Sequence, residues 1–209
     1  MNLGVAILSV TALGYLSNWM NGRYLNYRLI HWFYYIGAIV HETSHAILCI
    51  LTGAKITEFK VFSSQPCVVH RKSKLLLLGE PLISLAPIVG GLCFLYLVNH
   101  YFLADSFSIP HFLGWRDIVT EMRGFLLQIN LLRWQSWVMV FLFFNIGAMI
   151  GPSPQDLKNM WPLLVVLLFV PWAAVANIAF FAAGLILITL VIQIILITAI
   201  AIAHAMFRD

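Results

Sequence analysis

The run His41-Glu42-Thr43-Ser44-His45 sits inside an apolar stretch covering residues 32–51, and it limits what this chain can fold into more than any other feature. On a helix, positions i and i+4 share a face, so the two imidazoles converge on one point with Glu42 beside them. Ionisable groups packed this densely are expensive at membrane depth unless a metal ion or water needs them. The pattern is that of a helix-borne zinc site with an adjacent carboxylate base, the donor set of metal-assisted hydrolysis. A satisfied polar network on a membrane helix is the alternative, and its desolvation cost counts against it.

That cost matters because the chain belongs in lipid: 62% of residues are hydrophobic and 10% are charged. A composition of this kind marks an integral membrane protein. The expected fold is an all-α polytopic membrane protein, with about six transmembrane helices of roughly 20 residues and a short β-hairpin after the second. Residues 1–209 read as one membrane-embedded domain. The net charge of +4 is modest and its Lys and Arg residues fall in loops, so nucleic acid is not an expected partner. Cys49, Cys67 and Cys93 show no short metal-ligand spacing and are expected to be packing residues.

Along the chain, residues 3–20 are expected to form a first helix, because no basic segment precedes them as in a secretory signal; an uncleaved signal anchor would read the same way. A second helix over 29–52 carries the histidine pair and ends at Gly53. Residues 56–62 alternate apolar with polar, which is strand periodicity, and residues 67–70 could pair back on them. A third helix is expected over 75–103, an amphipathic interfacial helix over 118–132 and a fourth apolar helix over 134–149. The last stops at Gly151-Pro152-Ser153-Pro154. Residues 160–204 are too long for one span and are expected to hold two, parted near Ala182-Ala183-Gly184. With six spans, Lys55, Lys60, Arg71, Lys72, Lys74, Lys158 and Arg208 share one face, which places the hairpin loop 53–74 in the cytoplasm of a cell-membrane protein.

A catalytic zinc keeps one position open and needs three protein ligands. Asp156 is the candidate to join His41 and His45, since it lies in the Pro-rich break between apolar segments, where irregular backbone is tolerated only if it lines a cavity or is packed in protein. The alternative, a loop Asp capping the helix that follows, carries less weight. Asn145, the strongly polar side chain of the fourth helix, could donate to a substrate carbonyl or hydrogen-bond a neighbouring helix. His31, His70, His100, His111 and His204 are scattered at loops and helix ends and are not expected to be ligands. Glu80 is expected to snorkel or to cap a helix start rather than to serve the site, and the Gly147 and Gly151 spacing to serve close helix packing.

These residues resemble the site-2 protease family of intramembrane zinc metalloproteases. The resemblance rests on residues 41–56, HETSHAILCILTGAKI, on Ser84-Leu85-Ala86-Pro87 with Gly90-Gly91 in the next helix, and on Asn145 through Asp156. In that family an Asn-x-x-Pro segment leads to a Leu-Asp-Gly ligand motif, whereas here Gln155-Asp156-Leu157 follows Asn145 at a longer spacing. The resemblance implies a zinc-dependent endopeptidase acting on membrane-protein or transmembrane-helix substrates within the lipid bilayer. His41, His45 and Asp156 would hold Zn2+ and Glu42 would be the general base. A compact member without PDZ or CBS modules is expected.

A helical substrate hides its carbonyls and must unwind, and the edge of residues 56–62 is expected to hold it extended by strand addition; an interfacial hairpin with no such role would have the same pattern. The competing functional class is a non-catalytic membrane protein of the same fold that binds a partner helix or a metal. A transporter would favour inverted repeats, which the sequence does not display.

Overall fold

The computed structural model describes residues 3–24, 34–63, 66–108, 115–168 and 173–206. In chain order these form α1 (Leu3–Tyr24), α2 (Tyr35–Leu51), β1 (Ile56–Lys60), β2 (Cys67–His70), α3 (Gly79–Tyr101), α4 (Trp115–Leu127), α5 (Trp134–Met149), α6 (Pro154–Leu168) and α7 (Ala173–Met206). The helical bundle with a hairpin after the histidine helix is therefore as expected. By length and composition, α3 and residues Ala176–Ile195 of α7 can each cross a membrane. A third span results if α5 and the start of α6, bent by 75° at their break, count as one. Among the described residues this makes two or three spans, and the six expected are not reached. The apolar α2 has 17 residues, short of the roughly 20 a span needs, and residues 25–33 ahead of it lie outside the described ones.

The expected break near Ala182-Ala183-Gly184 does not occur: α7 runs unbroken through these residues. All three are buried, and α7 packs against α1 and α5. Small residues in an apolar helix permit close approach of a neighbour without ending the helix. The described part of α6 reaches Leu168 and that of α7 begins at Ala173, and residues 169–172 lie outside the described ones. A buried polar bridge also ties the bundle together, with Ser17 Oγ donating to Gln193 Oε1 and Gln193 Nε2 to Tyr34 Oη, each at 3.3 Å.

Gly53 ends α2 as its sequence position implied. Its φ of +70° is the left-handed turn, and Ala54 N–H returns to the Cys49 carbonyl at 2.8 Å, while Gly53 N–H bonds Ile50 at 3.2 Å. This pair of bonds is the glycine-terminated cap that satisfies the last helical carbonyls. The chain then doubles back: β1 and β2 pair antiparallel, and Phe62 at the hairpin end lies 6.0 Å from the Tyr35 ring at the start of α2. Ser73 fastens the return, donating its hydroxyl to Thr52 O at 2.9 Å and its N–H to Glu80 Oε1 at 3.0 Å. Glu80 thus closes the loop at the start of α3.

Two close helix approaches bring the site together. A Cβ on Gly37 would sit 2.3 Å from the Asn145 carbonyl, so α2 and α5 touch backbone to backbone there. A Cβ on Gly151 would lie 2.6 Å from Gly14 Cα, which seats the α5–α6 break on α1. Gly147 faces Thr189 of α7, so both glycines of this spacing serve packing within the chain. Cys49 is buried in a small cluster with Ala54 and Ile83, whereas Cys93 is exposed and does not pack in the core as expected.

Candidate metal centre

His41 and His45 stand one turn apart on α2, with side chains only 14% and 12% exposed. His41 Nδ1 lies 2.7 Å from the Met149 carbonyl and His45 Nδ1 lies 2.8 Å from the Ile83 carbonyl. A carbonyl only accepts, so each Nδ1 carries the proton and each Nε2 presents a lone pair. Holding one ring nitrogen by a backbone carbonyl is how proteins orient an imidazole whose other nitrogen binds a metal.

Both carbonyls are available for local reasons. Pro87 lies inside α3 and has no N–H to offer Ile83, four residues back. Met149 is the last residue of α5, where carbonyls lose their helical donors. The interruption at Gly151-Pro152-Ser153-Pro154 also starts α6 at Pro154, a position where proline is favoured. Ser153 then acts as its N-cap: Asp156 N–H donates to Ser153 Oγ at 3.2 Å, while Ser153 N–H and Oγ–H reach back to Asp156 Oδ2 at 3.0 and 2.6 Å. This reciprocal arrangement is a capping box.

The same carboxylate lies toward the histidines, its second oxygen the nearer. Asp156 Oδ1 is 3.5 Å from His45 Nε2, and Oδ2 is 4.0 Å from His41 Nε2. The two Nε2 atoms are 3.2 Å apart, and His41, His45 and Asp156 offer donor atoms all within 4.8 Å of one another. Two lone pairs and a carboxylate oxygen gathered this closely repel one another unless a cation lies among them. Donors about 2.0–2.1 Å from a tetrahedral ion are about 3.3–3.4 Å apart, so the spacings of 3.2 and 3.5 Å match one metal ion, while the carboxylate stands at least 4.0 Å from His41 and would draw in on binding.

Glu42 lies beside this group and outside it. Its carboxylate meets the backbone of Val68 on β2 and is within electrostatic reach of Asp156. Asn145 is fully buried one turn before Met149, with Nδ2 donating to the Phe141 carbonyl at 3.2 Å and Oδ1 without a hydrogen-bond partner. The structure therefore gathers three of the five candidates as one cluster, sets Glu42 beside it and leaves Asn145 outside the group, one turn before Met149 on α5. His70 comes within electrostatic reach of His45 without joining the group. His100 pairs with Asp105 at 2.9 Å on the exposed end of α3. His31 and His111 lie outside the described residues, as does the His204 side chain.

Ser153 was not among the expected site residues. Its signal was present as Ser-x-x-Asp ahead of an apolar run, which is the capping-box pattern. The carbonyls of Ile83 and Met149 carry no side-chain signal at all.

The peptidase M50B-like family model matches residues 7–112, half of the chain. The chain belongs to the peptidase M50B-like family. The match spans the histidine helix, the hairpin and α3 with Pro87, while Asn145 and Asp156 lie beyond it. No curated protein and no solved structure matches the chain. For this M50B-like chain the family match covers the two histidines, and the donor-atom grouping brings Asp156 to them from outside it.

Proposed function

We propose that this M50B-like chain is a zinc-dependent intramembrane endopeptidase that cleaves peptide bonds of membrane-protein substrates. One observation carries the proposal: two Nε2 lone pairs 3.2 Å apart, with a carboxylate oxygen at 3.5 Å, lie among apolar helices. Two imidazoles and one carboxylate, with a position left open, form a donor set suited to catalytic zinc. When bound, zinc would supply the Lewis acidity that activates water and polarises a peptide carbonyl.

The protein's own groups do the rest. Glu42 takes a proton from the attacking water and passes it to the departing amine nitrogen, as the oxygen–carbon bond forms and the carbon–nitrogen bond breaks. Asn145 enters as a donor to the substrate carbonyl. Its amide has two hydrogens, so one remains beside the bond to Phe141. The proposal keeps six membrane crossings, a cell-membrane location and a cytoplasmic hairpin loop 53–74.

The hairpin holds the unwound substrate, and its pairing pattern favours β2 over the edge at 56–62. Arg71 N–H bonds Lys55 O at 2.9 Å, and Glu58 opposes Val69. Backbone groups alternate in direction along an antiparallel strand, so Val68 and His70 point away from β1. That outer edge is the one beside Glu42, whose carboxylate accepts from the Val68 backbone N–H. His70→Pro removes the other outward N–H of β2, which Glu42 does not use, and is expected to cut cleavage of a transmembrane reporter by at least about tenfold with zinc content unchanged. Full cleavage by this variant would reject strand addition at β2.

The function itself is tested with the purified full chain in liposomes containing a transmembrane reporter. Cleavage is expected, with loss on stripping zinc and recovery on its return. Cleavage that survives complete metal removal would refute the proposal. A zinc-loaded chain that leaves every reporter intact would favour the non-catalytic binder.

A further inference from the structure

We propose that Ser153 is a positioning residue that selects which oxygen of Asp156 lies nearest the histidines. The inference rests on the reading of His41, His45 and Asp156 as a metal site and deepens it. An isolated carboxylate turns freely about its terminal bond and presents either oxygen, or both. Here Oδ2 accepts two hydrogen bonds from one residue, the Ser153 N–H at 3.0 Å and the Ser153 hydroxyl at 2.6 Å. Oδ1 carries no such bond and makes the closest approach to the pair, 3.5 Å from His45 Nε2, whereas the Ser153-held Oδ2 stays 4.0 Å from His41 Nε2. Asp156 is buried, so water does not compete freely for Oδ2. The result is a carboxylate fixed to ligate through one oxygen.

The same bonds explain why this occurs at a helix start. Had α5 continued, the Ser153 N–H would have bonded the Met149 carbonyl four residues back. The break turns that N–H to Asp156 and leaves Met149 O to His41. One interruption thereby orients two of the three metal-binding side chains.

A helix cap alone would account for the Ser153 hydroxyl, and the experiment separates the two roles. Glycine is nearly as good an N-cap as serine but offers no hydroxyl to Oδ2, and threonine offers both. Zinc affinity is measured on the purified full chain in detergent by competition with a chelator, beside its thermal midpoint. Ser153→Gly is expected to weaken zinc binding about 10–100-fold, the usual effect of losing an outer hydrogen-bonding partner, with the midpoint nearly unmoved. Ser153→Thr is expected to restore the affinity.

Unchanged affinity in Ser153→Gly would overturn the positioning role while the metal site stood. Failure of the unsubstituted chain to take up zinc would overturn the site and this inference together. Should Ser153→Gly fail to fold, Ser153→Ala replaces it: lost affinity rescued by threonine supports positioning, and a lowered midpoint with full affinity refutes it.

Discussion

Replacing Glu42 with glutamine is expected to slow cleavage of a transmembrane reporter by about 10²–10⁴-fold, the range that a general base supplies, while zinc content stays at that of the unsubstituted chain. Glutamine keeps the size and hydrogen-bonding reach of the side chain and removes only its ability to hold a proton. Glu42 is outside the group of donor atoms formed by His41, His45 and Asp156, so the metal site should not register the change. The assay is the initial cleavage rate in liposomes beside metal analysis of the same preparation. A non-catalytic membrane protein of this fold would tolerate the substitution in every partner-binding measurement. Reporter cleavage at the original rate would remove Glu42 from the mechanism, and loss of zinc would instead make it part of the metal site.

Asp156→Ala is expected to abolish both zinc retention and cleavage. Two imidazoles would remain on α2, but a third protein donor would be gone, and the loss should exceed the about 10–100-fold typical of an outer partner. The competing view gives Asp156 a capping role only. Removing a cap costs about 1 kcal/mol of stability, which lowers the thermal midpoint but leaves a metal site untouched. Midpoint and zinc content together therefore separate the roles. A chain that is slightly less stable yet fully loaded would return Asp156 to the helix cap, and an empty, folded chain is the expected result.

Ligation and capping, weighed as alternatives from the sequence, turn out to be compatible. One oxygen of Asp156 closes the capping box with Ser153 and the other lies toward His45. The sequence contained the Ser-x-x-Asp pattern, but only coordinates assign separate tasks to two oxygens of one carboxylate. The histidine helix was legible because i, i+4 spacing is a property of any helix, and Gly53 was legible because a left-handed turn favours glycine. The α5–α6 break was legible from Gly151-Pro152-Ser153-Pro154.

Other features escaped for equally physical reasons. Ala182-Ala183-Gly184 looked like a break, yet small residues also mark tight packing, and α7 uses them that way. The carbonyls of Ile83 and Met149 orient the imidazoles, but every residue has a carbonyl. Pro87 and the end of α5 reveal which two are free only once tertiary packing brings α3 and α5 against α2. Alternation in residues 56–62 indicated a strand without saying which edge of the hairpin meets Glu42. That depends on register, and a bulge between Ile56 and Glu58 shifts the register.

The central claim is that His41, His45 and Asp156 converge on one ion, and X-ray absorption at the zinc edge of the purified full chain tests it most directly. The expected spectrum shows one zinc per chain, with two imidazoles and oxygen donors at about 2.0–2.1 Å. A chain with no stoichiometric metal, or a zinc shell without paired imidazoles, would contradict it.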